Sequence, residues 1–364
     1  MTIARVVTAA ALALAVTAVA PIPALAAPHA ASGADSVSGL APSWRLTPTG
    51  STARLRGLSA ISRDVAWASG SVGTVLRTTN GGQSWAQVGP PDTAALQFRD
   101  IEAFSAEEAL ALSIGTGTDS RIYRTTDGGA RWTEVFRNDE PTAFYDCMAF
   151  FDHRHGLALS DPVDGRFRVL STSDGGRSWQ VLPSDGMPPA LEGEFAFAAS
   201  GQCITTAGGR DAWIATGGST SARVLHSSDR GRTWTASDTP LTVGPSAGVF
   251  SVAFRNSDTG VAIGGDFDPA NTADSLVAVT RDGGTTWREP YSAPAGYRSG
   301  LTWHPHLPTV LIAVGPTGSD LSATGGLTWN QFDGGSFDTV DCAHDGACWA
   351  SGEQGRVAVL GYHR

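Results

Sequence analysis

Arg56, Arg99, Asp146 and Asp338 each stand near the start of a short strand-like run, and Arg298 follows Tyr297 at the head of another. If those runs are the innermost strands of a ring, register puts Arg56, Arg99, Asp146, Gln202 and Asp338 at one level of a shared channel, with Arg298 close by. The segments around them add Asp161, Asp164, Arg166, Glu192, Glu194, Asp266 and Asp320. Guanidinium forks bind carboxylates bidentately, so converging arginines would clamp a carboxylate-bearing peptide tail or sugar. The same charges also fit a solvated channel mouth in which Arg and Asp pair with one another. A third chemistry is glycoside hydrolysis, with Arg56, Arg99 and Arg298 holding an acidic sugar, Tyr297 as nucleophile and Glu194 beside it.

Other chemistries have less support. Gly115-Thr-Gly117 and Gly217-Gly218 lie between strand-like runs, with no helix whose N-terminus would hold a pyrophosphate, so no nucleotide cofactor is expected. His153/His155 and His304/His306 fall in turns of different repeats, and no metal site is expected from them. The net charge of −10, without a basic block, argues against nucleic acid as a partner. All 25 basic residues are Arg.

What must position these side chains is a repeat. Thr78-Thr-Asn-Gly-Gly-Gln-Ser-Trp85 recurs as Thr125 to Trp132, Thr172 to Trp179, Ser227 to Trp234, Thr280 to Trp287 and Ser322 to Trp329. The spacing of roughly four dozen residues is that of repeated small sheets. Asn80, Asp127, Asp174, Asp229, Asp282 and Thr324 hold the third position of the motif, where a short polar side chain accepts hydrogen bonds from its own turn. Glycine permits the turn and Trp packs on the sheet, so folding one turn uses every residue type in the motif. Copies spread around a ring cannot converge on one substrate, and the motif is read as structural.

Each interval holds two further strand-like runs, such as Phe98–Phe104 and Ala109–Ser113, before the strand entering the motif. With the strand that starts at the motif Trp, this gives four-stranded blades of an all-β propeller. Trp44-Arg-Leu-Thr-Pro resembles the strand after each motif but has no motif before it, and Cys348 to Leu360 ends before one. Joined, the two half-units make a seventh blade closed by the N-terminal strand, and closure removes the open sheet edges. In up-and-down blades the motif turns share one face with the first-to-second turns. The variable loops Asn138–Phe144, Ser160–Arg166, Pro183–Gly193, Gly264–Ser275 and Pro294–Arg298 gather on the other, which is the expected functional face.

Residues 1–26 read as a secretory signal peptide, with Arg5, the apolar run Val6 to Ala20 and Ala24-Leu-Ala26 before the cleavage point. Residues 27–42 read as a disordered leader and 43–364 as the propeller. Export favours disulfides: Cys342 and Cys348 flank the turn dipeptide Asp345-Gly346, and Cys147 and Cys203 occupy equivalent places in neighbouring repeats.

The motif resembles the Asp-box, or BNR repeat, of sialidases and other secreted propellers. Longer stretches resemble the photosystem II stability and assembly factors and their non-photosynthetic bacterial relatives. These are Phe150-Phe-Asp with Ser160–Phe167, Gly193-Glu-Phe-Ala-Phe-Ala-Ala-Ser-Gly201, Ser246–Ser251, Gly264-Gly-Asp266 and Gly296–Gly300. That resemblance implies a non-catalytic binding protein that takes a protein or peptide client, here secreted or on the periplasmic side; a monomer is expected. The alternative is a sialidase-like hydrolase or carbohydrate binder, against which stand the missing Phe-Arg-Ile-Pro sequence and seven blades in place of six.

Overall fold

The computed structural model describes residues 41–268 and 274–363. The expected signal peptide and almost all of the expected leader lie outside them. Seven antiparallel sheets follow one another along the chain, with innermost strands Leu55–Ala60, Gln97–Ala103, Tyr145–Phe150, Ile204–Ala207, Ala247–Phe254, Gly300–Trp303 and Thr339–Cys342 opening blades I to VII. Each innermost strand contacts the next, and the seventh contacts the first, so the ring is closed. The chain is a seven-bladed β-propeller of four-stranded blades. In blade V the fourth strand shrinks to one bridged pair, Val279 with Arg288.

Closure uses the strand Ala41–Leu46, two residues longer at its start than the sequence boundary at Ser43. It pairs from Ala41 with His363 to Leu46 with Ala358. Trp44 donates its indole N–H to Ser319 Oγ in blade VI at 2.8 Å and packs against Phe332 and Phe337.

Strand character follows from blade stacking. The second strands, Ala66–Gly70 and Leu311–Gly315, are buried at every residue, because each blade is covered on both faces by its neighbours. That is why their sequences are continuous apolar and small residues without alternation. Among the described residues seven hydrophobic clusters result, one at each blade interface. Disulfides join Cys147 to Cys203 across blades III and IV, and Cys342 to Cys348 within the first hairpin of blade VII.

The repeated turn is a self-contained hydrogen-bond unit. In blade IV, Asp229 accepts bonds from the Arg232 and Thr233 amides and from the Thr233 and Ser227 hydroxyls, and Ser227 Oγ accepts from Gly231 N. The degenerate copies keep the acceptor: Asn80 Oδ1 takes the Ser84 amide and Thr324 Oγ1 takes the Thr328 amide. Gly176, at φ +72°, also leaves room for Leu110, whose Cδ2 a Cβ would approach to 2.2 Å. The Trp234 indole returns to Gly231 O. Asp229→Ala should lower stability by about 1 kcal/mol, discounted for the exposure of this turn. Chemical denaturation would show it, with ligand binding unchanged wherever the variant is folded.

Candidate functional site at the channel mouth

The innermost strands begin on the face opposite the repeated turns, and there Arg56 and Arg99 meet in a pocket of about 320 Å³ with Asp338 and Tyr297. The pocket is completed by Arg54 and, on its far side, by Phe197, Phe250, Phe267 and Pro316. Blades I, II and VII supply the charged wall; blade V and the two crossovers leading into blades IV and VI supply the aromatic one.

Arg54, which the sequence reading did not single out, is the partner of Asp338. Its Nε and Nη2 donate to the two Asp338 oxygens at 2.8 and 2.6 Å. That bond is the main reason the Arg54 pKa lies above its ordinary value. The Arg56 Nε lies 3.9 Å from Asp338 and, though buried, has no hydrogen-bond acceptor. Burial lowers the Arg56 pKa, while the Asp338 charge works against the fall. Arg99 donates to Ala198 O at 2.8 Å and to Gln97 Oε1 at 3.2 Å. Burial, with the charges of Arg56 and Arg54, pulls its pKa down to about 10. At neutral pH three guanidiniums therefore face one carboxylate, and the field in the pocket is positive.

Several expected members sit elsewhere. Arg298 is fully buried: Nε donates to Asp320 Oδ2 at 2.6 Å, and Nη1 to Tyr297 O and Thr317 Oγ1. Arg298 does stand close to that level, but its side chain turns into blade VI, where Asp320, two strands over, balances it. Glu194 is equally taken, accepting from Arg223 Nε at 2.8 Å, Thr216 Oγ1 at 2.7 Å and the Leu191 amide. Asp164 and Arg166 belong to a hairpin, not to an irregular loop. The strands Gly156–Val163 and Arg166–Thr172 run on to an Asp164-Gly165 turn with both residues at positive φ, which is the preferred two-residue hairpin chemistry. Asp266 ends the second strand of blade V, beside Phe267.

Asp146 and Asp161 form a buried acid pair behind the mouth. Burial pushes Asp161 up to about 7 against the Ala196 amide, which donates to its Oδ1 at 2.8 Å. Burial and then the Asp161 charge raise Asp146 as well. Asp161 anchors the crossover carrying Phe197 and Ala198. An acid whose folded pKa lies above its unfolded value stabilises below the unfolded pKa, and that stability is lost as pH rises through the folded pKa. Melting temperature should therefore fall between pH 4 and pH 7, and Asp161→Asn should flatten the fall while keeping the amide's acceptor. An equal slope in the variant would remove Asp161 as its source. The turn carboxylates act oppositely: the Thr286 hydroxyl and amide hold Asp282 down to about 2, so its contribution persists until pH falls through that value.

Deeper in the channel, Gln202 spans to two other blades, accepting from the Leu301 amide at 2.9 Å and donating to Val340 O at 2.8 Å. It also lines a cavity of about 340 Å³ containing Asp100, Glu102 and Asp341. Burial raises the pKa of all three acids. The mouth is cationic and the channel below it acidic.

No protein-family profile matches the chain, and no curated protein sequence does. Solved structures do. The chain is similar to YCF48 bound to D1 peptide, with TM-score 0.60 and 17% identity over 87% of this chain and 96% of that one. It is similar to YCF48 from Cyanidioschyzon merolae, with TM-score 0.61 and 14% identity over 88% and 98%. The GH74 xyloglucanase from Xanthomonas campestris gives TM-score 0.61 and 17% identity over 87% of this chain, which spans only 53% of the enzyme. The likeness is one of fold.

Proposed function

We propose that this protein is exported and non-catalytic, and that it captures a protein or peptide client through a carboxylate at the channel mouth opposite the repeated turns. The observation that carries this reading is the charge imbalance of the pocket, whose described lining has three arginines, Arg54, Arg56 and Arg99, and one acid, Asp338. A carboxylate entering there would meet guanidinium groups of Arg56 and Arg99 that no carboxylate holds within hydrogen-bond distance. A propeller of the same fold, YCF48, has been solved with a peptide bound, which supports peptide capture by such a ring. Export rests on the N-terminal residues alone.

Hydrolysis has weaker support from the geometry. A tyrosine nucleophile needs a base close by, yet burial and the Asp338 charge raise the Tyr297 pKa and keep the phenol protonated. Both oxygens of Asp338 are held by Arg54, and Glu194 is buried with Arg223. The test is crosslinking capture from the exported fraction with wild type and Arg56→Ala side by side, run against a panel of glycosides. A partner lost in the variant, with no turnover, is the expected result. Turnover abolished by Tyr297→Phe would overturn the reading.

A further inference from the structure

The mouth pocket has a second wall as well defined as its charged one. Phe197 and Phe250 stack with ring centroids 3.7 Å apart and planes 13° from parallel. Phe267 stands edge-on to both at 6.2 Å, and Tyr297 edge-on to Phe250 at 4.7 Å. Phe197 and Phe250 are buried, but Phe267 leaves 54% of its surface in water. An exposed phenylalanine that lines one pocket with three arginines gains from a ligand that covers it, because removing apolar area from water is favourable.

A ligand that satisfies both walls must carry a carboxylate and an apolar group close together. The side chain of Asp or Glu does not do so, since its carboxylate is the tip and nothing apolar lies beyond it. The last residue of a polypeptide does, because its side chain and its α-carboxylate share one carbon. The volume agrees. At about 320 Å³ the pocket is near the lower limit for ligand sites, with room for a chain end rather than for a segment threaded through. We infer that the site takes a peptide by its C-terminal residue. The α-carboxylate lies on Arg56 and Arg99, and the last side chain, bulky and apolar, lies against Phe197, Phe250 and Phe267. This rests on the proposed capture of a client at this mouth and names the part of the client that enters.

The test is fluorescence anisotropy with peptides labelled at the N-terminus. One ends in Phe as the free acid, and a second is the same sequence as the C-terminal amide. A third ends in Ser as the free acid, and a fourth carries an internal Asp and an amidated end. The Phe acid should bind at least about tenfold more tightly than each of the others, the fold-change expected for losing one buried aromatic contact or one charge-assisted bond. Phe267→Ser alters an exposed side chain. It should erase the preference for Phe over Ser and leave the preference for acid over amide. Equal binding of acid and amide, or of Phe and Ser ends by wild type, would overturn the inference. Tight binding of the internal-Asp peptide that is lost in Arg56→Ala would also overturn it and leave the capture reading standing. If none of the four binds, both fall.

Discussion

Deleting residues 43–48 is expected to lower the melting temperature by on the order of 10 °C and to make the protein associate. The deletion removes Trp44 from the interface between blades VI and VII, with its bond to Ser319 and its packing on Phe332 and Phe337. It also removes Thr47, whose amide bonds Val357 O at 2.8 Å and whose hydroxyl accepts from the Trp85 indole at 3.3 Å. Losing a large aromatic contact costs about 3–5 kcal/mol. The strand Val357–His363 would then present an open edge, which invites pairing with a second chain. Trp44→Ala separates the two effects, since it keeps the backbone ladder: it should lower stability without association. A deletion variant that melts with wild type and elutes as wild type would show that the ring does not depend on this closure.

The architecture was legible because its signals are local and repeated. A turn such as Thr172–Trp179 satisfies its own amides and hydroxyls, so the motif identifies its structure wherever it occurs. The half-units at the two ends announced the closure in the same way. The site was only partly legible. Strand register correctly brought Arg56, Arg99 and Asp338 to one level, because period-2 alternation fixes which residues face the channel. It did not bring in Arg298, since register gives a level and a face but says nothing about a partner two strands away in the same blade. Asp320 lies on the third strand of blade VI, in register with Ala313 on the second, and only the fold shows its carboxylate lying against Arg298. Arg54 was missed although it stands two residues before Arg56, on the same side of the chain and therefore able to share its surroundings. The aromatic wall was also missed. Phe195 and Phe197 lay in view within Gly193–Gly201, but the stacking partner Phe250 comes from another blade, and no local pattern joins them.

The charge balance of the mouth gives the second large expectation, which is a pair of opposite effects. Arg56→Ala removes a guanidinium whose Nε has no acceptor among the described residues, and affinity for a carboxylate ligand should fall about a hundredfold. Arg56→Lys keeps the charge and loses the fork, so it should recover only part of that loss. Asp338 acts in the other direction. It occupies Arg54 at both oxygens and lies 3.9 Å from Arg56, so it competes with any incoming carboxylate. Asp338→Asn removes that competitor and releases Arg54, whose side chain is 42% exposed and so tolerates the change. Affinity should rise by about three- to tenfold, with a steeper dependence on salt because one more unscreened cation faces the ligand. Arg298→Lys, by contrast, should lower stability and leave affinity alone, because that guanidinium is spent on Asp320. Titrating the four variants with the free-acid Phe peptide at two salt concentrations decides the matter. A fall in affinity for Asp338→Asn would mean that the carboxylate positions the arginines for the ligand and does not compete with it.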